Sequence, residues 1–156
     1  MNSTGKDMRF ATGGVLAEFM VPGPPKGKGR PRFSRASGRA YTPADTASYE
    51  NLVKVLASEA MDGVHPSTHM LHLHVACYTP MPKATSKKVL AAFAAREYEW
   101  PDPKRPDLDN VIKAVTDGMN GVVYRDDSQI SSILASKVLV GPDEVPRVYV
   151  SVHILL

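Results

Sequence analysis

Residues 71–78 show the clearest alternation of apolar and polar positions in the chain. Every second residue from Leu71 to Cys77 is apolar, and His72 and His74 lie at intervening positions. This period of two is that of a β-strand with one face in the core and the other face outside it. The pattern therefore predicts a strand here.

Three more segments are predicted as strands. Residues 15–21 alternate in the same way, and Pro22 should end that strand because proline cannot donate to a hydrogen-bonded ladder. Near the end of the chain we expect strands over about 129–140 and 147–155. The predicted sheet thus draws its strands from both ends of the sequence.

The first predicted helix begins at residues 42–45. Thr42 offers an N-cap hydroxyl, Pro43 suits the first helical position, and Asp45 places a carboxylate in the first turn. Apolar residues at helical spacing follow, and the helix should end near Asp62 and Gly63.

Two more helices are predicted downstream. Thr85-Ser86 can cap a helix that carries Val89, Leu90 and Phe93. Residues 97–106 contain several prolines and form an irregular connector. A third helix should run from about Asp109 to Asn120 and stop at Gly121, because glycine suits the left-handed conformation past a helix end.

This mixture of strands and helices indicates the fold class. We expect one compact α/β (α+β) domain with a mixed β-sheet and helices packed on it. A chain of 156 residues is long enough to bury one core, and two full domains are not expected. The polar residues 1–13 are predicted to be a flexible leader before a domain that covers residues 14–156.

Composition excludes several classes of protein. Hydrophobic residues make up 43% and charged residues 22%, as in ordinary globular proteins. Cys77 is the only cysteine, so an intrachain disulfide and a cysteine-based zinc site are both excluded. No stretch resembles a secretory signal or approaches the roughly 20 apolar residues of a membrane span. We therefore expect a cytoplasmic protein with no membrane association.

Positive charge is concentrated in one part of the chain. The formal net charge of +3 is too small to indicate a nucleic-acid partner. However, no acidic residue lies between Glu18 and Asp45. The basic side chains of this stretch, here called the basic segment (residues 26–39), are Lys26, Lys28, Arg30, Arg32, Arg35 and Arg39. Glycines and prolines among them predict a loop that could follow DNA phosphates.

Carboxylates are concentrated around the third helix. Pro106 precedes Asp107, and in an extended Asp-Leu-Asp the side chains of Asp107 and Asp109 would project to one side. Asp126 and Asp127 follow further on. Hard cations such as Mg²⁺ are held by a few carboxylates with water and substrate phosphate, so these aspartates suit phosphodiester chemistry.

A purely structural interpretation of the same residues is also open. Asp107 could cap the helix, and Asp109, Lys113 and Asp117 could form a solvated ladder of ion pairs, each contributing about 0.2–0.5 kcal/mol. The pair Asp126-Asp127 is also common in turns. Taken singly, these residues would favour that interpretation.

The combination of these residues is more specific than its parts. Between Asp107 and Gln129 the chain contains Asp-x-Asp-Asn-x-x-Lys-x-x-x-Asp followed by Asp-x-Gln, and this pattern resembles the RusA family of Holliday junction resolvases. The basic segment after the first strand and the order of elements agree with it. A resemblance of this kind predicts an enzyme.

The resemblance implies a homodimer that binds four-way DNA junctions and nicks two strands symmetrically with Mg²⁺, for which Mn²⁺ could substitute. It makes Asp107 and Asp109 metal-binding catalytic carboxylates and Lys113 the catalytic lysine. The third carboxylate would come from Asp126 or Asp127, and the register before Gln129 favours Asp127. A bacterial or phage-encoded enzyme is expected.

Within the basic segment, phosphate contacts would give affinity without reading base identity. Phe33 or Tyr41 could stack on an unpaired base. Two other functions stay open: a nuclease for other branched or flapped DNA, and a noncatalytic DNA-binding protein. His72 and His74 are interpreted as half-buried neutral side chains rather than metal ligands, because no further ligand completes a tetrahedral site.

Overall fold

A computed structural model describes residues 10–156 of the chain. Its helices and strands, in chain order, are β1 (Thr12–Pro22), β2 (Arg32–Ser34), β3 (Arg39–Tyr41), α1 (Ala44–Met61), β4 (Leu71–Pro80), α2 (Lys87–Ala94), α3 (Leu108–Met119), β5 (Ile130–Val140) and β6 (Arg147–Leu155). A short 3₁₀ helix, Asp127–Gln129, precedes β5. Residues 1–9 of the predicted leader lie outside the described residues, and Thr12 and Gly13 belong to β1.

The main sheet has the strand order β1-β6-β4-β5. β6 pairs antiparallel with both β1 and β4, whereas β4 and β5 run parallel. Parallel neighbours need a long crossover, and the chain between β4 and β5 accordingly contains α2 and α3. The prediction of a single α+β domain with a mixed sheet is confirmed.

The core lies where α1 and α3 pack against each other and against the sheet. Val53 of α1, Val115 of α3 and Leu73 of β4 are fully buried in one cluster. The two helices approach closely at Gly118, where a Cβ atom would stand 2.8 Å from the Cβ of Val53. Burial of this apolar cluster holds α3, with its carboxylates, in a fixed position on the sheet.

The ends of the helices agree with most of the sequence predictions. Ser86 caps α2 by accepting a hydrogen bond from the backbone N–H of Val89, at 3.3 Å. α1 ends at Met61, and Asp62 adopts a left-handed conformation. The predicted cap of α1 is wrong: the helix begins at Ala44, the cap position is held by Pro43, and no side chain caps it.

Two further predictions need correction. The basic segment is not a loop throughout, because β2 and β3 form an antiparallel hairpin whose turn contains Gly38 at φ 65°. β4 does not have one open face either: His72 is only 7% exposed. The reason is that side chains of both neighbouring strands lie against His72, Ser132 of β5 and His153 of β6.

Among residues 10–156, no helix is both long and apolar enough to cross a membrane.

Candidate functional site

The start of α3 separates the two aspartates of the Asp-Leu-Asp sequence. Asp107 is the cap residue with an extended backbone, φ −65° and ψ 142°, while Leu108 is already helical and Asp109 lies in the first turn. The prediction of an extended Asp-Leu-Asp is therefore wrong beyond Asp107. The two aspartates consequently line two different clefts.

The first cleft, here called the carboxylate cleft, has a volume of about 310 Å³. It lies between α3 and the start of β5 and is lined by Asp109, Ile112, Lys113, Thr116, Asp127, Ile130 and Ile133. Asp109 and Lys113 are separated by one helical turn, so both point from the same side of α3. The cleft thus brings together three of the predicted site residues.

The second cleft, here called the basic cleft, has a volume of about 480 Å³. It is lined by Pro25, Lys26, Gly27, Lys28, Asp45, Arg105, Pro106, Asp107 and Asn110. The carboxylate of Asp107 accepts no capping hydrogen bond from α3. Asp107 is therefore an exposed carboxylate that shares this cleft with cationic side chains.

The neighbours Asp126 and Asp127 differ in their surroundings. Asp126 caps the 3₁₀ helix, accepting a hydrogen bond from the backbone N–H of Ser128 at 3.1 Å. This bond lowers the pKa of Asp126, whereas the hydrogen-bonded Asp126 carboxyl group raises the pKa of Asp127. Asp127 lines the carboxylate cleft, and Asp126 is not among its lining residues.

Gln129 fixes the turn that carries these aspartates. Its side-chain oxygen accepts hydrogen bonds from the backbone N–H groups of Arg125 (2.9 Å) and Asp126 (3.0 Å). Its side-chain nitrogen donates to the carbonyl oxygens of Ser67 (2.8 Å) and His69 (2.9 Å). One side chain therefore joins two loops and holds the position of Asp127.

Tyr124 ties the same turn to α3. Its buried hydroxyl donates to the carbonyl oxygen of Thr116 at 2.6 Å, and burial raises the pKa of Tyr124 well above its usual value. Thr116 also lines the carboxylate cleft. The turn and the helix that together form the cleft are thus joined by a buried hydrogen bond.

The ladder of ion pairs along α3 is not formed. Asp117 pairs with Lys28, which also lies 3.4 Å from a carboxylate oxygen of Glu50. Within residues 10–156, Lys113 takes part in no salt bridge. Lys113 is exposed and lines the carboxylate cleft, so its ammonium group is available to a bound anion.

The hairpin of the basic segment divides its side chains between two faces. Arg32 pairs with Tyr41 and Ser34 with Arg39, which places both arginines and Tyr41 on one face. Phe33 lies on the other face and is 67% exposed. The side chains of Lys26, Arg30 and Arg35 are exposed, and Lys28 alone of the predicted DNA-binding residues is half-buried.

The donors in the carboxylate cleft fit a hard cation. In the described part of the chain no three His, Cys, Asp or Glu side chains are placed together to hold a metal. Asp109 and Asp127 nevertheless supply two carboxylates to one cleft. Mg²⁺ is usually bound by one or two carboxylates and completes its shell with water and substrate phosphate, so these donors are of the type that it uses.

The histidines of β4 lie apart from this site. His72 is hydrogen-bonded to the hydroxyl of Ser132 at 3.0 Å, and its ring centroid lies 6.0 Å from that of His153. Burial lowers the pKa of His72 and of His74, and the nearby His153 lowers both further. Both shifts favour the neutral form of the imidazole.

Two residues of the site were not recognised in the sequence. Gln129 belongs to the sequence motif, but the motif does not show that its side chain holds the turn. Asp126-x-x-Gln129 is a capping-box pattern, and this pattern is the sequence feature that indicates that role. Arg105 lies in the connector and lines the basic cleft beside Asp107. Nothing in the sequence around Arg105 predicts that it lines a cleft with Asp107.

Comparison with known proteins shows the family to which the chain belongs. A family model described as "Endodeoxyribonuclease RusA" matches residues 22–153, a range that contains both clefts and the basic segment. The chain is also similar to an uncharacterized protein of Bacillus subtilis (strain 168), YqaN, with 32% identity over 141 residues. That alignment covers 87% of this chain and 94% of the relative.

Proposed function

The chain belongs to the RusA family of endodeoxyribonucleases, and we propose that it is a Mg²⁺-dependent enzyme that resolves four-way DNA junctions by paired symmetric nicks. The observation that carries this proposal is the convergence of Asp109, Lys113 and Asp127 on one cleft. These residues come from a helix and from a separate turn. Two carboxylates and an unpaired lysine at one exposed cleft suit hydrolysis of a phosphodiester.

Asp109 and Asp127 would hold a Mg²⁺ ion, or Mn²⁺ in its place, which would neutralise charge on the scissile phosphate and lower the pKa of the attacking water. Asp107 has a free carboxylate near the start of the same helix, and we retain it as a further catalytic and metal-binding group. Asp126 is the alternative to Asp127, but its carboxylate already caps the turn.

Lys113 would act on the substrate directly. Because no carboxylate of the described residues pairs with it, its ammonium group can donate to a phosphate oxygen or orient the attacking water. A lysine so placed would stabilise the negative charge on the nonbridging phosphate oxygens in the transition state. The apolar residues Ile112, Ile130 and Ile133 in the cleft wall would reduce competing hydration of that charge.

The basic segment would bind the DNA backbone. Its exposed cationic residues are Lys26, Arg30, Arg32, Arg35 and Arg39, and Lys28 is half-buried. Contacts to phosphates give affinity without sequence reading, which suits recognition of a junction by its shape. Phe33, exposed on the hairpin face opposite Arg32, would stack on an unpaired base at the branch point.

The proposed paired incision implies a homodimer. Two symmetric nicks require two active sites related by a twofold axis, so the enzyme would act as a homodimer on branched DNA. We place this activity in DNA recombination and repair, in the cytoplasm of a bacterial cell, with the gene carried by the bacterium or by a phage.

The test compares a mobile four-way junction with linear duplex and flap DNA, with and without Mg²⁺. We expect symmetric nicks in the junction alone, lost in Asp109→Asn with junction binding retained. Equal cutting of all substrates would indicate a general nuclease. Binding with no cutting under any condition would favour a noncatalytic DNA-binding protein.

A further inference from the structure

The Gly27-Lys28-Gly29 part of the basic segment is attached to both α1 and α3. The backbone N–H of Lys28 donates to the carbonyl oxygen of Asn110 in α3 at 3.0 Å. The backbone N–H of Gly29 donates to the hydroxyl of Thr46 in α1 at 2.9 Å. Successive residues are thus bonded to two different helices.

Both glycines lie in contact with these helices. A Cβ atom on Gly27 would stand 3.0 Å from a side-chain carbon of Pro106 and 3.1 Å from one of Asn110. On Gly29 it would stand 2.8 Å from the hydroxyl oxygen of Thr46. Such close approach leaves no room for a side chain, so the segment is packed here rather than solvated.

The side chain of Lys28 also contacts both α1 and α3. Its ammonium group pairs with Asp117 of α3 and lies 3.4 Å from Glu50 of α1. The hydrogen bond to Asp117 raises the pKa of Lys28, which keeps it charged. The Glu50 oxygen facing Lys28 is buried and accepts no hydrogen bond within the described residues, so the charge of Lys28 is what compensates it.

We propose that Lys28 is a positioning residue, which orients bound DNA for cleavage and does not itself contact a phosphate. It anchors the basic segment to α1 and α3, and so fixes Lys26 and Arg30 relative to Asp107 and Asp109 at the start of α3. This inference rests on the proposed function for its catalytic consequence, but the anchoring itself does not depend on DNA.

The first experiment measures the salt dependence of binding to a four-way junction with Mg²⁺ omitted. Each lost phosphate contact lowers the slope of log K against log salt by about 0.9. We expect Arg30→Met to lower the slope by that amount. Lys28→Met should leave it unchanged, because the released segment still carries the charges of Lys26 and Arg30 to the phosphates. A slope lowered equally by Lys28→Met would overturn the proposal, because it would identify Lys28 as a phosphate ligand.

The second experiment removes the partner instead of the lysine. Asp117→Asn leaves the charge of Lys28 in place, so a phosphate-binding lysine would bind DNA as well as before or better. A positioning lysine predicts that Asp117→Asn and Lys28→Met each lower kcat by about tenfold or more at saturating junction, since misplacement of the DNA is the shared defect. Lys28→Arg, which keeps the ion pair, should restore most of the activity.

Hydrogen exchange tests the anchoring of the basic segment independently of DNA cleavage. In wild type, the amides of Lys28 and Gly29 should be protected, and both Lys28→Met and Asp117→Asn should lose that protection while the core strands stay protected. This result would support the anchor even if no junction is cleaved. Unchanged protection in both variants would overturn it, even if the enzyme cleaves junctions as proposed.

Discussion

Asp109 in the first turn of α3 and Asp127 in the 3₁₀ helix before β5 line the same cleft. The two elements are separate in the chain, so the local sequence does not fix their relative position. α3 is held by the core, and the turn is held by Gln129 and Tyr124. The proposed chemistry therefore depends on the packing that brings a helix and a turn together.

The two neighbouring aspartates should differ in their effect on cleavage. Asp127→Asn should lower junction cleavage by about 100-fold or more, because it removes a carboxylate from the cleft. Asp126→Asn should have a much smaller effect, since asparagine can still accept the hydrogen bond from Ser128. Single-turnover cleavage with Mg²⁺ measures this, and the reverse order would make Asp126 the third ligand.

Gln129 should stabilise the protein as well as the site. Gln129→Ala leaves the carbonyl oxygens of Ser67 and His69 without their side-chain donor. We expect a loss of about 1–3 kcal/mol in the free energy of unfolding, measured in urea. The exposed Ser128→Ala is the control. An unchanged midpoint for Gln129→Ala would show that water replaces these bonds at no cost.

Gly118→Ala should weaken the contact between α1 and α3. The new Cβ atom would stand 2.8 Å from both the carbonyl oxygen of Glu50 and the side chain of Val53. Overpacking of this kind costs about 1–3 kcal/mol of unfolding free energy, measured by chemical denaturation. Gly14→Ala, where the added carbon meets nothing within 4 Å, is the matched control. Equal stability of the two variants would contradict this packing.

The histidines of β4 should make the protein less stable in mild acid. In the folded state burial lowers the pKa of His72 and His74, whereas in the unfolded chain histidine titrates near its ordinary pKa of about 6.5. The unfolded state then binds more protons, so the free energy of unfolding falls as the pH drops through that value.

Urea midpoints at about pH 7.5 and about pH 5.5 measure this effect. The difference between the two should shrink in the double variant His72→Gln/His74→Gln, and the exposed His65→Gln should leave it unchanged. A wild-type midpoint that does not depend on pH in this window would show that these imidazoles are protonated without cost in the fold.

The hairpin arginines should contribute to DNA affinity through charge. Arg32→Ala and Arg39→Ala should each lower the slope of log K against log salt by about 0.9 for junction binding, because both side chains project from one exposed face. Lys54→Ala on the exposed side of α1 is the control and should leave the slope unchanged. Equal effects of all three variants would indicate a diffuse attraction instead.

The sequence by itself determined most of the helices and strands and the family of the protein. Alternation of apolar residues located β4, and a serine hydroxyl located the start of α2, because both signals depend only on neighbouring residues. The motif from Asp107 to Gln129 indicated the family. These features are properties of short stretches of chain, so they could be read without the fold.

Only the tertiary structure decided how these residues are arranged. It placed Asp107 and Asp109 in different clefts, because the helix begins between them. It paired Asp117 with Lys28 rather than with Lys113, although Lys113 is one turn away on the same helix. Such contacts join residues that are far apart in the chain. The packing of α1, α3 and the sheet decides which residues meet, and a local sequence pattern does not contain that information.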